Sequence, residues 1–218
     1  MAQTPVNGLR LFGVAAFDSG MHQPFAEGTT SVQFRAIAGV VAPSKYSRVT
    51  LDEKELGEYA RVNEEVHANT TVLPAPPGTV FKSREGLARW LELHYFTLTQ
   101  AIGSIEGHAQ ARLTITKTKG IDPENATAGE LKESSKQLLA TASQSMRVLR
   151  GQAAATVSMP VAEEDTHIVA HASFLVDIEK WDVFAELVEK EDVRHASLDF
   201  SLTGPWPPYD FVRMQFGG

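Results

Sequence analysis

Asp199-Phe-Ser-Leu-Thr-Gly-Pro-Trp-Pro-Pro-Tyr-Asp-Phe-Val212 joins an alternating segment to a proline-stiffened aromatic one. Ala196, Leu198, Phe200 and Leu202 fall on one side of a period-two pattern, and Ser197, Asp199, Ser201 and Thr203 on the other. That alternation predicts a half-buried strand, with Gly204 and Pro205 ending it. Pro205, Pro207 and Pro208 remove backbone donors and fix φ, so residues 205–218 are expected to form an extended tail displaying Trp206, Tyr209 and Phe211. Trp206, Pro207, Pro208, Tyr209 and Phe211 are therefore the candidate docking residues. Two uses are open to them: closing this protein's own core, or entering a partner's groove. Exposed aromatics are a liability on a soluble surface, which favours the first.

The same two periodicities organise the rest of the chain. Leu11 to Phe17 is a short apolar run, predicted as a buried strand that stops at Asp18-Ser-Gly20, and Val32 to Val41 is a second strand ending before Pro43. Thr50-Leu-Asp-Glu53 has the spacing of a capping box, opening a helix to His67 with Leu56, Tyr59, Ala60, Asn63 and Val66 on one face. Thr71 to Leu73 is a strand fragment. Pro74 to Gly78 is too rich in proline for a central strand and is expected to be an edge or a crossing between domains. Ser83 is a candidate N-cap for a long amphipathic helix through Ile105.

Ala109, Ala111, Leu113 and Ile115 alternate with Gln110, Arg112, Thr114 and Thr116, another strand. Asp122-Pro-Glu-Asn-Ala126 is a loop, and Thr127-Ala-Gly-Glu130 a second capping-box spacing before a helix with Leu131, Leu138, Ala142, Met146 and Leu149 on its face. Ile168, Ala170, Ala172, Phe174 and Val176 line a strand, and Asp177 can cap the helix carrying Trp181, Phe184 and Val188. The last strand is expected from Val193. Short strands, amphipathic on one side and separated by irregular loops, indicate an α+β class, with sheets covered on one face, over a doubly wound parallel sheet. The predicted division is residues 1–82, residues 83–204, and a tail over 205–218.

A chain of 218 residues with 43% hydrophobic composition has enough apolar material for a large core. Its net charge of −7 gives no basic footprint for nucleic acid or an anionic membrane. With no cysteine there is no disulfide framework and no thiolate nucleophile, as suits a cytoplasmic protein. Neither a signal-peptide pattern nor an apolar run of membrane-spanning length is read. His167 and His171 have a helical metal-binding spacing, but they fall on a predicted strand, where four residues span roughly 13 Å. His22, His67, His94, His108 and His195 are scattered, Glu64 and Glu65 point apart on a helix, and Asp177 to Arg194 reads as a solvated helix surface. No nucleophile elbow, P-loop or dinucleotide fingerprint is present, so no catalytic residue, metal or cofactor is assigned.

Thr203-Gly-Pro-Trp-Pro-Pro-Tyr-Asp-Phe-Val212 resembles the C-terminal signature of the gas vesicle GvpL/GvpF family. Asn63-Glu-Glu-Val66, Thr71-Val-Leu-Pro74 and Gly78-Thr-Val-Phe81 are similar to its helix, strand and turn in that order, and Phe174-Leu-Val-Asp177 with Phe184 echoes a later strand and helix. The resemblance implies an N-terminal ferredoxin-like domain, a modified ferredoxin-like second domain, both α/β sandwiches, and a tail contacting both. It implies a non-catalytic assembly or minor structural protein of the gas vesicle in the cytoplasm. Its partners would be the apolar shell protein and other accessory gas vesicle proteins, without nucleic acid, membrane or cofactor. The competing expectation is an enzyme or small-ligand module on the same α+β scaffold. A deep pocket with converging titratable groups would mark the latter, and flat apolar surfaces the former.

Overall fold

The computed structural model describes residues 8–18, 20, 25–47, 49–118, 128–162 and 164–212, with the backbone alone over 128–134. Two compact units emerge: residues up to Glu106 together with those from Pro207 onward, and Gly107–Trp206. The division expected at 82/83 thus differs from the one observed, because the helix that begins at Arg84 packs on the first sheet.

The first unit holds strands β1 (Gly8–Ala16), β2 (Thr30–Phe34), β3 (Ile37–Ser44), β4 (Val72–Pro74) and β5 (Val80–Phe81), with helices α1 (Glu53–His67) and α2 (Arg84–Ile105). The antiparallel order is β2-β3-β1-β4, with β5 also on β1. Phe12, Ala15, Ala38, Val40 and Val72 meet Tyr59, Val62 and Val66 of α1 on one face. Gly39 points the other way, and a Cβ there would lie 3.2 Å from side-chain carbons of Leu11 and of Leu87 in α2. Both faces are therefore covered, against the expected single covered face. That is why β1 and β3 read as nearly unbroken apolar runs.

The strand predicted over 32–41 is a hairpin, folded at Arg35-Ala36 with Arg35 at φ 53°. The guanidinium of Arg35 lies 5.4 Å from the ring centres of Phe34 and Tyr95, contacts that offset its unusual backbone. Helix α1 starts two residues later than the Thr50 spacing suggests: Asp52 is the N-cap and its carboxylate accepts from the Glu55 amide at 2.9 Å. Ser83 caps α2 as expected, accepting from the Gly86 amide at 3.1 Å. Pro74 lies in β4, which pairs with β1 alone, so the strand avoids needing its missing donor in a central position.

The second unit contains β6 (His108–Lys117), α3 (Ala128–Arg150), β7 (Ala155–Ser158), β8 (Ile168–Asp177), α4 (Trp181–Arg194) and β9 (Leu198–Trp206). Its antiparallel order is β7-β8-β6-β9. Leu138, Ala142, Met146 and Leu149 of α3 and Phe184 and Val188 of α4 close over Ala111, Leu113, Ile115, Ala172, Phe174 and Val176. Asp177 caps a single 3-10 turn, accepting from the Glu179 amide at 3.0 Å, and α4 follows directly. The four-residue β7 carries too short a pattern to be read from sequence. Val193, expected to open the last strand, instead ends the helix as its most exposed apolar residue at 81%. Thr127 and the loop 122–126 lie outside the described residues.

The two sheets share one order, in which the first and third strands of each lie at the centre, flanked by the fourth and second. No sequence repeat accompanies it.

Candidate functional site

Gly204 and Pro205 do not end the last strand. β9 continues to Trp206, which pairs with Gln110, while Thr203 pairs with Arg112, so Gly204 and Pro205 together stand opposite Ala111. This is a bulge, the strand position where a proline's missing N–H is tolerated. Gly204 has φ 127°, and a Cβ there would lie 2.6 Å from the Gln110 carbonyl oxygen and 2.6 Å from the Trp181 ring. Only glycine lets the Trp181 indole and the neighbouring strand come this close. Trp206 is accordingly held by strand pairing in the second unit.

The four remaining candidate residues belong to the first unit. The segment after Trp206 turns instead of staying extended: the Tyr209 amide donates to the Pro207 carbonyl at 2.7 Å and the Phe211 amide to the Pro208 carbonyl at 3.1 Å. Pro207 and Pro208 are buried, and Phe211 is half-buried. Tyr209 packs on the α1 core cluster with its ring 5.9 Å from that of Tyr59. Tyr59 in turn donates its hydroxyl to the Ala75 carbonyl at 2.6 Å.

Its receptor is built by a β-bulge. Phe12 is the extra residue of β1 between Leu11 and Gly13, and its carbonyl accepts from the Ala75 amide at 2.9 Å and from Asn63 Nδ2 at 3.2 Å. Those bonds fix the Pro74–Pro77 segment beside α1. A Cβ at Gly13 would be 2.8 Å from the Leu73 oxygen and 2.9 Å from Asn63 Oδ1, so glycine is what admits the helix. Arg10 secures the same helix, pairing with Glu55 and with Glu58 at 2.9 Å while its guanidinium lies 4.6 Å from the centre of the Phe12 ring.

Between Tyr59, Pro74–Pro77, Tyr209 and Val212 lies a cleft of about 210 Å³. Burial pushes the pKa of both tyrosine hydroxyls well up; at Tyr209 the neighbouring Tyr59 and Glu64 add to it. The Tyr209 hydroxyl is buried with no hydrogen-bond partner, unlike that of Tyr59. The tail's aromatics are readable from sequence, but the receptor is not. Tyr59 has the spacing of an ordinary core position, and nothing local pairs it with Tyr209, 150 residues away.

Away from the cleft, one polar cluster joins α3 to the end of α4. Ser145 donates to the Glu191 carboxylate at 2.5 Å, and His195 Nε2 lies 3.6 Å from the same oxygen, with Arg194 at 3.4 Å from the other. The serine proton is engaged by the carboxylate, which ties α3 to α4. His171 lies in β8 and His167 just before it, where its carbonyl accepts from Lys117. Among the described residues no three His, Asp or Glu side chains are grouped to hold a metal, and no helix is long and apolar enough to cross a membrane.

The sequence model of the "Gas vesicle synthesis protein GvpL/GvpF" family matches residues 11–157 and 125–213. Gas vesicle protein F1 of Halobacterium salinarum is 25% identical over 198 residues, covering 88% of this chain and 84% of that protein. Gas vesicle protein F2 of the same organism is 36% identical over 50 residues, 23% of each chain. Among solved structures, GvpF from Anabaena sp. PCC7120 superposes with a TM-score of 0.76 at 20% identity, covering 97% of this chain and 98% of that one. GvpF from Microcystis aeruginosa superposes at 0.71 and 17% identity, covering 95% and 100%. These two share the fold, and the family match takes in both sheets, the bulge at Gly204 and the turn that carries Tyr209: the chain belongs to the GvpL/GvpF gas vesicle protein family.

Proposed function

We propose that the chain is a non-catalytic assembly or minor structural protein of the gas vesicle, working in the cytoplasm and at the vesicle, that binds the apolar shell protein and other accessory gas vesicle proteins. The observation that carries this is the family match from residue 11 to residue 213. The character of the site supports it: prolines, tyrosines and aliphatic side chains converge around the cleft. Such a surface suits recognition of an apolar protein segment better than bond-breaking chemistry, which needs a positioned acid, base or nucleophile.

We read both units as variants of the ferredoxin-like fold. In support of this, the second unit runs β-α-β-β-α-β with its first and third strands central, and the first carries α2 after its last strand. Phe25 and Ala26 join the core of the first unit, with the Phe25 ring 6.3 Å from that of Phe17. We further read Trp206, Pro207, Pro208, Tyr209 and Phe211 as residues that shape the partner surface by docking on their own units. A tagged copy expressed in a vesicle-forming host tests the function. Shell protein should co-purify with it, and loss of the chain should lower vesicle yield; unchanged yield with no shell protein retained would overturn the reading.

A further inference from the structure

We infer that the end of the first unit around Pro77 is a binding surface, and that it takes a partner segment presenting an apolar side chain flanked by basic residues. The inference rests on the reading of this chain as a protein that binds other gas vesicle proteins. Two hollows meet at Pro77. One is the cleft of about 210 Å³ against Tyr59 and Tyr209. The other is a broad recess of about 830 Å³ bordered by Val49, Leu51 and Gly78. The cleft is below the roughly 300 Å³ at which pockets for small organic ligands begin, so it has room for one large side chain of a longer segment.

The rim is apolar where it touches the hollows and acidic just outside them. Leu51 is 48% exposed and Leu56 43% exposed, and Leu56 stands one turn before Tyr59 on the same helix face. Asp52 and Glu53 adjoin Leu51, Asp210 adjoins Tyr209, and Glu64 is near enough to act on the Tyr209 phenol. Lys54 is the described cation on that first turn of α1, while Arg10 is paired by Glu55 and Glu58. Carboxylates around an apolar hollow disfavour an anionic or acidic occupant and reward Lys or Arg on either side of an apolar anchor. Leu93 and Phe96 of α2 are also exposed, but they line neither hollow and so supply a control surface.

Calorimetric titration of the full chain with two synthetic amphipathic peptides of equal length, one of Leu and Lys and one of Leu and Glu, tests this. The Leu/Lys peptide should bind, more weakly as salt rises, and the Leu/Glu peptide should not. Leu51→Asn and Glu64→Gln should each weaken the Leu/Lys peptide by about fivefold or more, with Leu93→Asn unchanged. Equal binding of the two peptides, an indifferent Leu51→Asn, or an equal loss in Leu93→Asn would overturn the proposal. Complementation in a vesicle-forming host lacking its own GvpF separates the two readings. If wild type and Leu51→Asn restore vesicles equally, this surface is wrong while the gas vesicle role stands. If the titration behaves as expected but wild type restores nothing, the surface stands and the role falls.

Discussion

The two sheets carry one strand order on two different burial schemes. In the first, α1 and α2 lie on opposite faces, and β1 and β3 are buried almost throughout. In the second, α3 and α4 share one face, and β9 and β6 from Ala111 onward alternate, with Arg112, Thr114, Thr116, Ser201 and Thr203 turned away from the core cluster. By contrast, β8 is buried on both faces over Ala172–Val176, where its sequence is a nearly unbroken apolar run. Strand composition thus reports how many faces are covered and says nothing of order. A period-two pattern marks a one-sided sheet, and an unbroken apolar run marks a two-sided one.

The largest expected effect tests the one-sided core. Phe174 is fully buried, 5.3 Å from the ring of Phe184, and Phe174→Ala should lower stability by about 3–5 kcal/mol in urea unfolding. A loss under 1 kcal/mol would mean that α4 does not seal that face. Next is the bulge that ends the same sheet. Gly204→Ala places a methyl group 2.6 Å from the Gln110 carbonyl at a φ that L-residues avoid, and should cost about 2–3 kcal/mol by the same measurement. Retained stability would show that the Trp181 ring and strand end can shift.

The two-sided unit is probed through its tyrosine pair. Tyr59→Phe removes the donor to the Ala75 carbonyl and should cost about 1 kcal/mol, whereas Tyr209→Phe deletes a hydroxyl without a partner and should be neutral or stabilising by up to about 1 kcal/mol. Both phenols are pushed up by burial, so the folded state holds them neutral. Their contribution is complete below the unfolded tyrosine value of about 10 and is lost as pH rises beyond it. Alkaline unfolding should therefore move to higher pH in the double Phe variant, and an unmoved transition would count against burial of the pair. The smallest effect belongs to Val193: exposed on the last turn of α4, Val193→Ser should stay within about 0.5 kcal/mol of wild type.

Local chemistry made much of this legible. The Ser83 and Asp177 caps and the alternation of β6, β8 and β9 depend on residues a few positions apart, which sequence displays directly. The hairpin at Arg35-Ala36 was hidden because its turn lacks Gly, Asn or Asp, its support coming from Tyr95 on a distant helix. The boundary differs for a related reason: prolines 74, 76 and 77 look like a linker, yet they line the same cleft as Tyr59 and Tyr209.

By itself the sequence determined the α+β class, most helices and strands, and the aromatic tail, since periodicity, caps and prolines act through neighbours along the chain. The tertiary structure alone decided that α2 covers the first sheet, that Gly204-Pro205 is a bulge inside a strand, and that Tyr209 rests on Tyr59. Each of those outcomes depends on contacts between residues far apart in sequence, where shape and burial select the partner and no local pattern records the choice.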